Sequence, residues 1–481
     1  MRSALVWFRR DLRLADNPAL GAALHAGYVP IPVYIDAQDE EAPWQPGAAT
    51  RWWLHHSLAA LDAQLRKLGS ALLLRRGDSA IELDRLLGET GAQAVFWNRL
   101  YDPVLTRRDA TIKAHLRARG IHAESCAGHL IAEPWEIRNG SAQPYRVFTP
   151  FWRTLRTRFP LPEPLPSPSA LPAHTLRGLQ LDALQLLPKI AWDLGLREEW
   201  TPGEAGAQEL LNTFIDSALE SYAAGRNLPD RPGTSRLSAH LHFGEISPRQ
   251  IAQRLLKDAS PAQRELAEPY LRELGWRDFG HHLLYHFPHT SEEPLQSSFS
   301  QFSWAELDAV KLSAWQRGQT GIPIVDAGMR ELWSTGWMHN RVRMIVASLL
   351  TKNLRYHWLH GARWFWDTLV DADLANNTQG WQWTAGSGAD AAPYFRIFNP
   401  VTQGERFDPL GTYVRRYVPE LAHLPAAVIH QPWMTGGVRA YPKPIVDLKL
   451  SRLAALAAYS ELRAAKSTES HAVVPTNNRL P

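Results

Sequence analysis

Residues 371–400 read DADLANNTQGWQWTAGSGADAAPYFRIFNP. The first thirteen, residues 371–383, hold two aspartates, two asparagines and two tryptophans, a density that a plain core segment does not need. Asp371, Asp373 and Asn377 offer negative charge and amide hydrogen bonds, while Trp381 and Trp383 offer wide π-faces beside them. A polar, planar, redox-active or base-like ligand satisfies both halves of that pattern. The same letters also suit a helix start followed by buried tryptophans, because acidic and amide side chains favour a helix's first turn. Gly386-Ser387-Gly388-Ala389-Asp390-Ala391 fits G-x-G-x-x-A by letters. It follows a helical stretch and no strand, so it is not read as a dinucleotide loop.

Helical periodicity dominates the sequence around this stretch. Arg341–Leu354 carries Val342, Ile345, Val346, Leu349 and Leu350 on one stripe, and Pro323–Trp333 and Ile251–Leu256 read the same way. The N-terminal third is different. Short apolar runs at Leu5–Phe8, Ile31–Ile35, Ala71–Leu74 and Ala94–Trp97 alternate with helical patterns such as Arg51–Leu68. That alternation predicts a doubly wound parallel α/β sheet over residues 1–132. Residues 160–172 hold six prolines and predict an extended surface stretch inside a linker spanning 133–200. An all-α domain is expected over 201–465, then a flexible tail over 466–481.

At 481 residues, two domains are the default. The formal charge of +4 permits nucleic acid without requiring it, so any DNA face must be a local basic patch. Cys126 is the sole cysteine, which excludes an intramolecular disulfide and a cysteine-based metal site. The apolar run at the N-terminus is too short for a signal peptide or a membrane span, so a soluble, cytoplasmic protein is expected.

Three further constellations carry chemistry. Tyr222 and the run Thr234-Ser235-Arg236-Leu237-Ser238 join hydroxyls, a cation and a helix start, which suits a phosphate or a simple N-cap. In YLRELGWRDF, Glu273, Trp276 and Arg277 share one helix face, where a carboxylate can meet a base edge while the ring stacks on it. In GWMHNRVRM, Asn340 and Met344 are i, i+4 neighbours beside Arg341 and Arg343. Arg226, Arg341, Arg396, Gln403 and Arg406 are candidates for holding DNA phosphates. His281, His282, His286 and His289 look like a metal cluster by letters. They lack acidic or cysteine partners at ligand spacing, so a helix-end or surface role is expected, with no metal. His240 and His242 in HLH carry still less signal.

The pattern DxDxAxNxxxWQW, continued by DAAPYFRIFNP, resembles the flavin-binding signature of the DNA photolyase/cryptochrome family. The resemblance runs from VWFRRDLRLADN near the start to YPxPIV at residues 441–446. It implies an antenna-type α/β domain, an all-α FAD-binding domain, and class I repair of cyclobutane pyrimidine dimers by light. On the resemblance, Tyr222, Thr234, Ser235, Arg236, Leu237, Ser238, Arg277, Arg343, Asp371, Ala372, Asp373 and Asn377 bind FAD. Arg343 would pair with Asp371, and Asn377 would lie against flavin N5.

Glu273, Trp276, Asn340, Met344 and Trp383 would meet the flipped dimer, with a neutral Glu273 as the useful form. Trp381, Trp358 and Trp304 would carry electrons, Trp304 aligning only after a one-residue shift. Asn340 and Met344 stand where (6-4) photolyases carry histidines, and Asn377 where plant cryptochromes carry aspartate. A cryptochrome-type blue-light sensor and a (6-4) photolyase are the alternative functions. Val104 and Leu105 replace the Asn–Glu pair of folate-binding relatives, which leaves deazaflavin, FMN, methenyltetrahydrofolate or no antenna open. The expected partner is damaged DNA, single- or double-stranded, bound by a monomer without regard to sequence.

Overall fold

A computed structural model of the chain describes residues 2–174, 176–390 and 396–472, with side chains to residue 464. The segment DAAPYF therefore lies outside the described residues from Ala391 to Phe395. The chain forms two compact units. One comprises Met1–Pro288, Leu332–Trp337 and Phe365–Asn377, and the other His289–Glu331, Met338–Trp364 and Thr378–Pro481.

The first unit is built on a five-stranded parallel sheet. Its strands are β1 (Ser3–Phe8), β2 (Val29–Asp36), β3 (Leu73–Arg76), β4 (Ala94–Asn98) and β5 (His122–Cys126), in the order β3-β2-β1-β4-β5. Leu5, Trp7, Val33, Val95 and Trp97 pack on one face, and Ala4, Val6, Phe8, Tyr34 and Phe96 on the other. A parallel sheet covered on both faces needs unbroken apolar strands, which is why these runs stood out in the sequence. β5 was not expected. It reads HAESC and buries only Ala123 fully, so as an edge strand it lacks the apolar run that marks its neighbours.

Helix Ala48–Lys67 lays Trp52, Trp53, Leu54, Leu58, Leu61 and Leu65 into the core. Residues 133–200 are more than a linker. Helix Phe148–Arg156 sits there with Phe148, Phe151, Trp152 and Leu155 buried, and helix Leu194–Glu199 follows. Within it, residues 160–172 form no helix or strand, as their prolines require, yet Leu171 is buried and donates its N–H to the Leu68 carbonyl at 2.8 Å. Helix Pro261–His286 completes the framework. Ser260 and Gln263 form its capping box, and Gly275 lets its backbone close on Trp152, where a Cβ would fall 2.4 Å from the ring.

The second unit is helical. Helix Asn340–Ser348 continues into a π-turn at Leu349–Asn353. Phe299, Phe302, Ala455, Ala458 and Leu462 form a cluster that includes one face of helix Leu448–Ala472. That helix passes residue 465, where the sequence placed the end of the domain. Residues 473–481 of the expected tail lie outside the described residues. The compact units also divide along a different line from the boundaries at 132 and 201, because Met1–Pro288 stays in one unit.

Candidate functional site

Helix Pro261–His286 positions the first group. Trp276 is half-buried and lies flat on the buried Phe148, ring centroids 3.6 Å apart and planes 8° from parallel. Three residues earlier, Glu273 accepts from Arg226, whose guanidinium stands 5.5 Å from the Tyr222 ring. Burial lowers the Arg226 pKa, but Glu273 outweighs it and the net shift is upward. This corrects two expectations. Glu273 Oε1 faces a guanidinium, which only donates, so this oxygen accepts and is not the neutral donor expected. Arg226 is not a solvated arginine awaiting phosphate.

Arg277 also departs from its expected role. Its guanidinium is buried and donates to the His129 carbonyl at 2.8 Å, to His129 Nε2 at 2.7 Å and to the Leu241 carbonyl at 3.3 Å. Those contacts commit it to the protein rather than to a flavin.

Behind Arg277 lies a buried histidine cluster. Asp373 Oδ1 accepts from the Asn376 backbone N–H at 2.8 Å and from its side-chain amide at 2.6 Å, capping helix Leu374–Ala385. Asp373 Oδ2 lies 3.3 Å from His281 and 3.7 Å from His242. Burial alone would raise the Asp373 pKa, but His281 and His242 hold it well below the usual carboxylate range. Burial opposes the charge on His281 too, yet Asp373 raises its pKa on balance.

His129, His281 and Asp373 place ligand atoms within 4.8 Å of one another, close enough to share a cation. Arg277 already brings a positive charge to the same cluster. The expectation that these histidines lack acidic partners therefore fails for His281, whose partners Asp373 and His129 come from distant segments, while His282 and His286 both meet the Pro134 carbonyl. His282 is buried as well, and His240 pairs with Glu245. The helix-cap reading of Asp373 thus describes real geometry, and its charge is met by histidines.

Tyr270 donates its hydroxyl to Ser235 Oγ at 2.9 Å. Arg236, with φ 55°, lies 4.4 Å from the Trp200 ring and 4.7 Å from the Trp337 ring, and pairs with Glu199. Its Nε is buried without a hydrogen-bond partner. Helix Ser238–His242 starts immediately after Leu237, and the first N–H groups of a helix have no carbonyl four residues back. The Arg236 Nε and the N–H groups at this helix start are donors that would suit an anionic phosphate, although Arg236 already pairs with Glu199. Asp371 and Ala372 are buried, and Asn377 is half-buried in the first turn of helix Leu374–Ala385.

The same unit holds a cavity lined among others by Trp7, Arg10, Tyr34, Leu105, Arg108 and Trp366. Its arginines are satisfied by protein carboxylates: Arg10 by Glu41 and Asp102, Arg108 by Glu40 and Asp109. No sequence signal gathered these residues, apart from Leu105 as a departure from the folate pattern.

In the second unit, Asn340 is exposed and Arg341 and Met344 are half-buried on helix Asn340–Ser348. Arg343 donates to the Met338 carbonyl at 2.7 Å. Arg341 and Arg406 flank the Phe407 ring at 4.5 and 5.2 Å, with Gln403 one turn back on helix Pro400–Phe407. Arg396 is exposed, and Trp383 is half-buried. Ser387 and Gly388 both donate to the Gln382 carbonyl at 3.0 Å, and Gly386 has φ 86°. The glycine run is thus a helix stop and not a dinucleotide loop.

Trp381 and Trp358 are buried and Trp304 is half-buried. Trp381 packs against Gly361, one turn along helix Trp358–Thr368 from Trp358. The His357 ring lies 5.7 Å from Trp358 and 5.1 Å from Trp304.

A family model described as "DNA photolyase" matches residues 4–169, and one described as "FAD binding domain of DNA photolyase" matches residues 270–461. The deoxyribodipyrimidine photo-lyase of Agrobacterium fabrum is 47% identical over 95% of this chain and 98% of its own. The chain belongs to the DNA photolyase family. Its second half carries the family's FAD-binding domain, as the sequence implied. A bacterial class III photolyase from Agrobacterium tumefaciens, solved by crystallography, has a TM-score of 0.90 at 47% identity, covering 96% of this chain and 98% of that one. Likeness to a class III photolyase does not carry the class I assignment expected from sequence. Arabidopsis thaliana cryptochrome-2 is 41% identical over 97% of this chain and 80% of its own, so repair enzymes and cryptochromes both stand near this member. Among the described residues, no helix is long and apolar enough to cross a membrane.

Proposed function

We propose that this photolyase-family member repairs cyclobutane pyrimidine dimers in DNA, driven by light. The observation that carries the reading is the Trp276 plane, propped flat on Phe148, with the Glu273–Arg226 pair one turn away. A half-exposed indole held rigid by a buried ring stacks on a planar base at little entropic cost. The neighbouring carboxylate accepts a hydrogen bond from a pyrimidine imide N–H, while Arg226 holds it in place. Photolyases extrude their target nucleotide, so a stacking platform outside the duplex is the part required.

Thr234, Ser235, Arg236, Leu237 and Ser238 would hold the FAD phosphates, and Asp371, Ala372 and Asn377 would line the ring. Bound there, reduced FAD would supply an electron to the dimer and take it back once the cyclobutane has split. On the family pattern, Asn340, Met344 and Trp383 contact the dimer, and Arg341, Gln403 and Arg406 hold the strand. Trp381, Trp358 and Trp304 relay electrons inward from the surface. The cavity lined by Trp7, Tyr34 and Leu105 would take a second, light-collecting chromophore. The protein works in the cytoplasm as a monomer on single- or double-stranded DNA.

The test is illumination of the reduced protein with an oligonucleotide carrying one thymine cyclobutane dimer, following the return of thymine absorbance. Light-dependent recovery is expected. No recovery from flavin-loaded, reduced protein overturns the reading. The 41% identity to a plant cryptochrome makes a blue-light sensor the second reading, and a (6-4) lesion the next substrate to try.

A further inference from the structure

The electron relay contains a gap that the tryptophans do not fill. Among the described residues, the Trp304 and Trp358 rings form no stacked or edge-on pair with each other, while the His357 imidazole pairs with both, its ring centroid 5.1 Å from that of Trp304 and 5.7 Å from that of Trp358. We propose that His357 is a ring bridge between these two indoles, through which Trp304 re-reduces Trp358. This rests on the reading of Trp381, Trp358 and Trp304 as the electron path.

Three features of the surroundings suit the role. Trp358 is buried and its indole Nε1 has no hydrogen-bond partner. Once Trp358 has lost an electron to Trp381, its indole N–H has no hydrogen-bonded acceptor to take the proton, so the positive charge stays mobile. Trp304 is half-buried and packs on Phe302 at 4.7 Å, within reach of water on its other side. Between them, the His357 ring is fixed, because Nδ1 accepts from the Leu359 N–H at 3.3 Å at the start of helix Trp358–Thr368. Burial, then His360 and Arg363, push the His357 pKa down to about 4, so at neutral pH the bridge carries no charge to oppose a hole passing beside it.

The step balances simply. One electron moves from Trp304 across the imidazole to Trp358, and no bond to His357 forms or breaks. Trp304, left one electron short, gives its indole proton to water. A thiol-class reductant in solution later returns the electron, and water returns the proton.

Two variants separate a bridge from a helix cap. His357→Asn keeps a side-chain acceptor for the Leu359 N–H but removes the ring. His357→Phe keeps a neutral ring and loses the acceptor. The experiment is flash excitation of the protein carrying oxidised flavin, with the absorbance of the deprotonated tryptophan radical as readout, alongside flavin content and melting temperature. The bridge predicts that the long-lived radical is lost in His357→Asn and retained in His357→Phe, even where the Phe variant melts earlier. Retention in His357→Asn with loss in His357→Phe overturns it and leaves His357 a cap. Trp304→Phe is the control: if it leaves the long-lived radical intact, the path through Trp304 fails and the bridge with it. If Trp304→Phe abolishes the signal while His357→Asn keeps it, the bridge alone fails.

Discussion

Replacing Gly361 by alanine tests the packing of the electron path in a way whose sign can be worked out beforehand. Gly361 lies on helix Trp358–Thr368, and a Cβ there would fall 2.0 Å from Trp381 Cη2, 2.4 Å from Cζ3 and 2.5 Å from Cζ2. Carbon atoms in contact sit about 3.5–4.0 Å apart, so the ring or the helix must give way by roughly 1.5 Å. Trp381 is buried, and the far edge of a rigid indole cannot retreat by rotating a flexible tip. In an exposed helix the same change would stabilise by up to about 1 kcal/mol. Here overpacking should cost about 1–3 kcal/mol instead. Gly380, on helix Leu374–Ala385, is the internal control, because a Cβ there meets nothing within 4 Å. Urea unfolding and the rate of light-driven flavin reduction are measured for both variants. Gly361→Ala should unfold at lower urea and photoreduce more slowly, while Gly380→Ala should be at least as stable as the parent. A Gly361→Ala protein with parental stability and photoreduction would refute the placement of Trp381 against that helix.

Trp381→Phe should slow photoreduction of oxidised flavin, measured by bleaching of the flavin band in the presence of thiol; a parental rate removes Trp381 from the path. Glu273→Ala should retain flavin and lower repair per absorbed photon, since a hydrogen bond to a charged group contributes about 1.5–3 kcal/mol; unchanged yield denies Glu273 its contact with the dimer. Trp276→Ala should weaken binding to dimer-containing DNA by about 1–3 kcal/mol in fluorescence anisotropy, the range for one base stacked on an aromatic ring. Equal affinity would show that no base stacks there.

The pH dependence of stability has a definite sign. His282 is buried, its Nε2 accepts from the Tyr145 N–H at 3.0 Å, and burial followed by His286 pushes its pKa down to about 4. Between pH 6.5 and about 4 the unfolded chain takes up a proton there that the folded chain refuses, so stability falls as pH drops through that window, by about 3 kcal/mol in all. His282→Gln, which keeps an acceptor for Tyr145, should show a shallower decline in urea midpoint; an identical slope would locate the acid sensitivity elsewhere.

What the sequence made legible follows from what each residue's environment needs. β1, β2 and β4 are buried on both faces and must be continuously apolar, so they announce themselves, while the edge strand His122–Cys126 can be polar and does not. The tryptophans of the proposed electron path were singled out by the family resemblance, since a count of twenty tells a core indole from no other. Phe148 was not, because nothing local tells a core phenylalanine from one that props a functional indole. The histidines were misread for a related reason. Spacing rules look for a ligand's partners nearby in sequence, whereas His281 meets Asp373 and His129, each nearly a hundred or more residues away. A charge that deep must be answered, and the cost of leaving it unanswered is several kcal/mol. A buried histidine is therefore better read as evidence for an acid or a cation elsewhere in the chain than as a surface residue lacking neighbours. By that rule Asp373, the acid of the most telling motif in the sequence, was the partner to seek.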